Sequence, residues 1–471
     1  TLQPDASLEE VNAIVNRELE RFLAEGPTED ELERAQTKIN ASTVRGLEQI
    51  GGFGGKAVTL AQGELYAGNP GFFKTRLEWL NDATPDEVRN TAKNWLSNGR
   101  YQLEVLPFGE HTTVASEVDR SKGLPAVGAM PDLAFPEVQR AELSSGFKVV
   151  LAERDAVPVV NVTLQFDAGY ASDQFGKLGT AGFALAMLDE GTKDKSALEI
   201  SAEAEMLGAN ISTGSNLDMS TASLSALKVN LEPSLDLFTE VVREPAFADE
   251  EIERLRKRWL GNIQQEKNQP VQLALRNLPP LIYGEDHAYG IPFTGSGTEE
   301  SISSLTRDDL VSWYQTWIRP SNGTLFVVGD TTMDEILPLL EKRFGKWREN
   351  RMAVPQKNLA DVGLAENGTV YIIDKPGAPQ SLILAGHVAP PTGVDNNIAI
   401  TTMNDVIGGQ FTARVNMNLR EDKGWAYGAY TFMPDARGQR PLMVYAPVQT
   451  DKTTDSLKEL TREFDEFLGT R

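Results

Sequence analysis

The chain has 471 residues, of which 40% are hydrophobic and 24% charged, with a net charge of −23 and no cysteine. This length is too great for one ordinary core and predicts two to four domains. The composition is typical of a soluble globular protein. The acidic excess argues against nucleic acid or an anionic membrane as partner. No apolar run is long enough to span a membrane. Because the chain has no cysteine, disulfides and thiol catalysis are excluded.

The N-terminal quarter predicts a helical block that ends in a strand. An acidic amphipathic helix is expected over residues 1–25, with apolar residues along one face. Two later helices are expected to begin at capping boxes that open at Thr28 and Thr84. A closing strand is expected over residues 101–106.

The middle of the chain is organised around a stretch without polar side chains, residues 181–188. A strand with period-two alternation, residues 160–166, precedes it. A capping box of Ser196 and Glu199 predicts the next helix. The apolar stretch itself predicts a buried helix that carries no chemistry of its own.

The residue types most common in catalytic and metal sites are interpreted as structural. No histidine lies within five residues of another, so no local histidine pair exists among His111, His287 and His387. His387 is expected to end a strand and His287 to lie in a loop. Three acidic clusters are interpreted as helix starts, where the helix dipole favours negative charge: residues 189–190, 249–251 and 308–309.

Several residues recur in the same order at a spacing of about 220 positions. Thr84 and Trp95, for example, match Thr306 and Trp317, each 222 positions later. A duplicated domain of about 220 residues is therefore expected. The predicted division is the back half of an upstream domain (1–110), a linker (111–135), a complete domain (136–347), a second linker (348–368) and the front half of a further domain (369–471). The chain is thus expected to be cut inside a repeat at both ends.

Residues 179–192 resemble the central helix of the pitrilysin/insulinase-like zinc peptidases, the inverzincins, which reads G-x-A-H-x-x-E-H-M-x-x-x-G-T. The positions that fit this frame are Gly179, Ala181, Met187, Gly191 and Thr192. The resemblance implies an α+β fold of repeated two-layer α/β domains of the pitrilysin/processing-peptidase type. It also implies four such domains in two halves that form a clamshell, with zinc in the first domain.

The metal ligands of this motif are missing from the chain. Gly182 and Ala186 stand at the positions of the two histidine ligands, and Leu185 stands at that of the general-base glutamate. Asn262 occupies the place of the third ligand, a glutamate in the family. Zinc needs three protein donors and a water, and glycine, alanine and leucine offer none. We therefore expect no metal in this chain. The resemblance implies a zinc ion in the missing N-terminal half.

Residues 419–427 resemble the family segment R-L-x-x-x-L-R-E-x-x-G-x-A-Y. By that resemblance, Arg420 and Tyr427 match the Arg/Tyr pair that the non-zinc half contributes to peptide substrate. A guanidinium and a phenol can both donate to a peptide carbonyl and stabilise a developing oxyanion. In the alternative interpretation, Arg420 pairs with a neighbouring carboxylate and Tyr427 packs against a sheet.

The resemblance implies that the chain is the non-zinc-binding portion of a zinc metalloendopeptidase that hydrolyses peptides. It would form the chamber and the substrate-binding half, pair with a companion chain or fragment that carries the H-x-x-E-H half, and be inactive alone. The second hypothesis is a catalytically dead scaffold subunit like the core proteins of respiratory complexes. A periplasmic location is expected from similar bacterial proteins.

Overall fold

The computed structural model of the chain describes residues 7–50, 54–97, 99, 101, 136–349, 353–364 and 368–469. It contains an N-terminal group of helices, a six-stranded sheet with its helices, and a three-stranded sheet with its helices. The predicted α+β class is therefore confirmed. His111 and all of the predicted strand at 101–106 except Tyr101 lie outside the described residues.

The N-terminal helices are α1 (Leu8–Glu25), α2 (Glu29–Gly46), α3 (Lys56–Ala67), α4 (Phe72–Asp82) and α5 (Pro85–Leu96). Both predicted capping boxes form, because the hydroxyls of Thr28 and Thr84 each accept a backbone N–H from the glutamate three residues later. These helices bury only Leu32, Ala41, Gly63 and Ala92. Trp95 of α5 is largely exposed. The group therefore has almost no core of its own.

The six-stranded sheet consists of β1 (Val138–Glu142), β2 (Lys148–Glu153), β3 (Val159–Phe166), β4 (Asn210–Ser215), β5 (Ser220–Leu227) and β6 (Gly323–Gly329). Its strand order is β1-β2-β6-β3-β5-β4, and every pair is antiparallel except β2 with β6. Along β3, Val160, Val162 and Leu164 are fully buried while the residues between them are half-buried. This is the alternation that the sequence predicts for a strand with one face on the core.

The helices of this unit are α6 (Thr180–Ala186), α7 (Ala197–Leu207), α8 (Leu231–Arg243), α9 (Asp249–Asn268), α10 (Pro270–Tyr283), α11 (Glu299–Ser303), α12 (Arg307–Trp317) and α13 (Met333–Phe344). α6 is the predicted buried helix, and its Phe183 ring lies 5.3 Å from that of Trp259 on α9. α7 begins at the predicted capping box. The N-terminal helices dock here, because Arg45 of α2 donates to the backbone oxygens of Gly208 and Ser225.

The second sheet consists of β7 (Gln380–Ala389), β8 (Tyr430–Phe432) and β9 (Arg440–Gln449) in the antiparallel order β7-β9-β8. Its helices are α14 (Asn397–Asn404), α15 (Arg414–Asn416) and α16 (Thr453–Leu468). Two π-helical turns, Asp405–Gly409 and Met417–Asp422, flank α15. Such wide turns are rare and interrupt the regular helical ladder, so side chains on them point where an α-helix would not place them.

The acidic clusters and histidines fall mostly where predicted. Residues 249–251 and 308–309 occupy the first turns of α9 and α12. The prediction for residues 189–190 is wrong, because they follow α6 and α7 begins only at Ala197. Glu190 forms ion pairs with two arginines of α9 instead. His387 lies near the end of β7, while His287 lies in a loop and is buried.

Candidate functional site

Three of the positions that correspond to zinc-site residues border a cavity of about 240 Å³. Gly182, Leu185 and Ala186 of α6 line one side of it, and the edge strand β4 lines another. Polar groups at its wall are engaged with protein atoms: the Tyr170 hydroxyl donates to the Phe293 carbonyl, and the Thr213 hydroxyl to that of Leu185. The hydroxyls of Tyr170 and Thr213 are therefore already bonded to protein carbonyls.

The donor chemistry of this region does not fit a zinc ion. Gly182, Leu185 and Ala186 have no metal-binding atom, and Asn262 is solvent-exposed on α9 while its neighbour Ile263 is fully buried. Within the described parts of the chain, no group of three or more His, Cys, Asp or Glu side chains could hold a metal ion. The frame of the helix is thus present without the groups that bind and use zinc.

A buried carboxylate holds the start of α6. Asp173 accepts the backbone N–H groups of Gly179 at 2.7 Å and Ala181 at 2.9 Å. Burial raises the pKa of Asp173 to about 7, although these two hydrogen bonds act in the opposite direction. Gly179 has a φ of 90°, and a Cβ there would lie 2.7 Å from the Ile302 side chain, so the entry to the helix requires glycine.

Arg420 and Tyr427 lie together in the structure. Arg420 belongs to the second π-helical turn, and its guanidinium carbon lies 5.3 Å from the centre of the Tyr427 ring. The same carbon lies 4.5 Å from the centre of the Phe411 ring. The Arg420 side chain is 18% exposed, whereas Tyr427 is 84% exposed. The three side chains form a stack of an arginine and two rings, with Tyr427 open to solvent.

The contacts of Arg420 and Tyr427 bear on the two interpretations of the pair, which are substrate binding and a purely structural role. Arg420 does approach a neighbouring carboxylate, but the distance to Glu421 is 3.5 Å, which is long for a charge-assisted hydrogen bond. Tyr427 does not pack against a sheet, given its exposure. An exposed phenol next to a partly buried guanidinium can donate, together with it, to one acceptor that reaches both groups.

Buried asparagines hold this segment in place. The Asn416 side chain donates to the Phe411 carbonyl at 2.7 Å and accepts the Ala429 N–H at 3.1 Å. Asn418 donates to Glu463 of α16 at 2.7 Å, and Glu463 also accepts from Arg414 at 3.0 Å. Our sequence reasoning missed Phe411 and both asparagines. The available signal was two amides, at positions 416 and 418, among apolar helical residues.

A second polar cluster that the sequence did not reveal joins the two sheet units. Asp218 accepts the Tyr289 hydroxyl at 2.8 Å and 2.9 Å, and also the backbone N–H of Arg437 at 2.8 Å. The Tyr289 oxygen in turn accepts the Gly438 N–H at 3.0 Å. Burial, together with the adjacent Asp218 carboxylate, raises the pKa of the Tyr289 phenol above its ordinary value, so it remains a donor. This cluster connects the loop before β9 to the six-stranded unit.

Two family models match the chain over most of its described length. The model "Insulinase (Peptidase family M16)" matches residues 148–290, and the model "Peptidase M16 inactive domain" matches residues 304–470. The chain belongs to peptidase family M16. The resemblance seen in the sequence is therefore confirmed, and Arg420 and Tyr427 both lie within the inactive-domain match.

Three similar proteins each match about 70% of this M16 chain. It is 24% identical over 334 residues to an uncharacterized zinc protease of Mycobacterium leprae, spanning 70% of this chain and 74% of that protein. A solved M16 inactive domain from Pseudomonas fluorescens is 25% identical, with a TM-score of 0.65 over 71% of this chain and 79% of its own. The periplasmic protease PqqL of Escherichia coli shares the fold at 19% identity and a TM-score of 0.54, over 71% of this chain and 38% of PqqL.

Among the described residues, no helix is both long and apolar enough to cross a bilayer.

Proposed function

We propose that this chain is the substrate-binding, non-zinc part of an M16 zinc metalloendopeptidase. In this proposal Arg420 and Tyr427 bind the peptide, and a companion chain or fragment with the H-x-x-E-H motif carries the zinc. The observation that supports it most is the contact between Arg420 and the solvent-exposed Tyr427, in a chain whose own metal position lacks donors. The zinc-protease names of its relatives are in line with such a pairing.

The chemistry of the pair suits a peptide carbonyl. The guanidinium supplies several N–H donors in one plane and the phenol supplies one O–H. Fixed donors of this kind stabilise the negative charge that grows on a carbonyl oxygen when the peptide bond is attacked. The π-helical turn and the ring contacts already restrict the Arg420 side chain, so it loses less conformational entropy when the peptide binds.

The proposed domain division assigns residues 136–347 to a complete domain and residues 1–110 and 369–471 to parts of two others. Matching elements support it, because pairs of the same type recur at the period seen in the sequence. Strand β3 is repeated by β7 and β5 by β9, each about 220 residues later. In the same way, helix α2 is repeated by α9 and α5 by α12. We also propose a periplasmic location, which the name of the PqqL neighbour supports.

The test is steady-state kinetics on the peptidase assembled from this chain and a zinc-binding M16 half. Arg420→Ala and Tyr427→Phe should each lower kcat by about 10²–10³ and raise KM less, because the donors act mainly on the transition state. Tyr66→Phe is the matched control, since Tyr66 is 80% exposed on α3, far along the chain from the pair. The chain alone should hydrolyse no peptide.

Normal turnover by both site variants would contradict the proposal. If those variants instead weakened assembly at unchanged turnover, the scaffold-subunit alternative would be the better account. Both readouts come from one preparation, because assembly can be followed by size-exclusion chromatography on the samples used for kinetics.

A further inference from the structure

We propose that Phe411 determines specificity at the peptide site and that Asn416 is a positioning residue that holds Phe411 against Arg420. The ligand would be an extended peptide with an aromatic or large aliphatic side chain next to the carbonyl that Arg420 binds. This inference rests on the proposed function of Arg420 and Tyr427, and the experiment below separates the two.

The first support is the contact between Phe411 and Arg420. At 4.5 Å, the guanidinium carbon lies closer to the Phe411 ring centre than to that of Tyr427. A cation over an aromatic face is attracted by the ring quadrupole. Because a stacked guanidinium keeps its in-plane N–H groups for hydrogen bonding, the ring can fix Arg420 without consuming its donors.

The second support is the way in which Asn416 ties the segment together. Its side chain is fully buried and bonds the Phe411 carbonyl on one side and the Ala429 N–H on the other. Ala429 follows Tyr427 by two residues. One amide therefore fixes the backbone next to both rings of the stack, which sets the distance between them.

The third support is the exposure of the rings. Phe411 is 45% exposed, so a large part of its face remains open beside the donors of Arg420. In an extended peptide, neighbouring residues are about 3.3 Å apart along the strand, so a carbonyl and the next side chain can reach the donor and the ring together. The net charge of −23 disfavours an acidic peptide, and the partly exposed apolar ring of Phe411 favours an apolar side chain as its partner.

The experiment compares two unstructured fluorescent peptides of otherwise identical sequence. The apolar peptide has leucine and phenylalanine at chosen positions, and the serine peptide has serine at the same positions. Binding to the chain is measured by fluorescence anisotropy for wild type, Phe411→Leu, Phe411→Trp and Arg420→Ala. Phe411→Leu keeps apolar bulk but removes the ring face. It should weaken the apolar peptide roughly three- to tenfold more than the serine peptide, because only the apolar peptide loses a contact with the ring, whereas looser positioning of Arg420 affects both peptides alike. Phe411→Trp keeps a ring face and should bind like wild type.

Phe175→Leu is the matched control, because Phe175 is 51% exposed in the six-stranded unit and makes no contact with the stack. Asn416→Asp, which removes one donor, should weaken both peptides, and a thermal melt reports whether it still folds. Equal binding by Phe411→Leu and wild type, or equal weakening of both peptides, would overturn the specificity role. If Arg420→Ala binds normally, the proposed function itself fails. If Arg420→Ala loses binding while Phe411→Leu does not, only the present inference fails.

Discussion

Tyr289→Phe should destabilise the joint between the two sheet units. The substitution removes one oxygen from a fully buried ring and leaves its volume almost unchanged. That oxygen donates to the Asp218 carboxylate and accepts the Gly438 N–H. A hydrogen bond to a charged group contributes about 1.5–3 kcal/mol, and a buried N–H left without a partner costs about 1–3 kcal/mol. We therefore expect the free energy of unfolding to fall by roughly 3 kcal/mol or more.

The assay is urea unfolding followed by far-UV circular dichroism, with Tyr66→Phe as the control for loss of an exposed hydroxyl. The control should lie within about 0.5 kcal/mol of wild type, as surface substitutions usually do. A double-mutant cycle with Asp218→Asn should give a coupling energy of about 1 kcal/mol or more, because the two side chains are in direct contact. A Tyr289→Phe variant as stable as the control would refute the reasoning, since the buried hydroxyl would then carry no net stabilisation.

Two further outcomes concern metal and pH. Elemental analysis of the purified chain should find well under one zinc per chain, because Gly182, Leu185 and Ala186 offer no donor; one tightly bound zinc would contradict this. Asp173 has a folded-state pKa of about 7, above its ordinary 3.8, so the stability it contributes is present at low pH and is lost as the pH rises from 3.8 to about 7. The difference in unfolding free energy between wild type and Asp173→Asn should therefore fall across that window, and a flat difference would show that Asp173 does not titrate there.

Local sequence signals predicted the individual elements well. The capping boxes at Thr28, Thr84 and Ser196 act within four residues, so they depend little on the rest of the fold. The alternation in β3 is equally local and survives because the strand lies on the core. The acidic pair at 189–190 failed because a carboxylate preceding a helix by several residues can also pair with a distant arginine. The local sequence alone does not distinguish a carboxylate in the first turn of a helix from one that pairs with a distant arginine.

Long-range contacts account for what the sequence did not reveal. Phe411 lies nine residues before Arg420, and the two meet because a turn and a π-helical segment bring them together. Asp218 and Arg437 are 219 positions apart, and no spacing rule links them. The pairing of Arg420 with Tyr427 was predicted only from the family motif. Helical spacing could not have predicted it, because the helical turn that carries Arg420 ends at Asp422 and the chain changes direction at Gly424, before Tyr427.

The strand order of the first sheet has a consequence for how the chain folds. β6 lies between β2 and β3, and it aligns Val149 with Leu325, 176 positions later. At about 5–20 residues per second, a ribosome needs roughly 9 to 35 s to make the intervening chain. Until then one edge of β3 and one edge of β2 lack their partner, so apolar strands remain open to other nascent chains. Pairings this distant in sequence also slow folding itself. The emerging chain should therefore depend on a holding chaperone during that interval, and a circular permutant that begins at β6 should depend on it less.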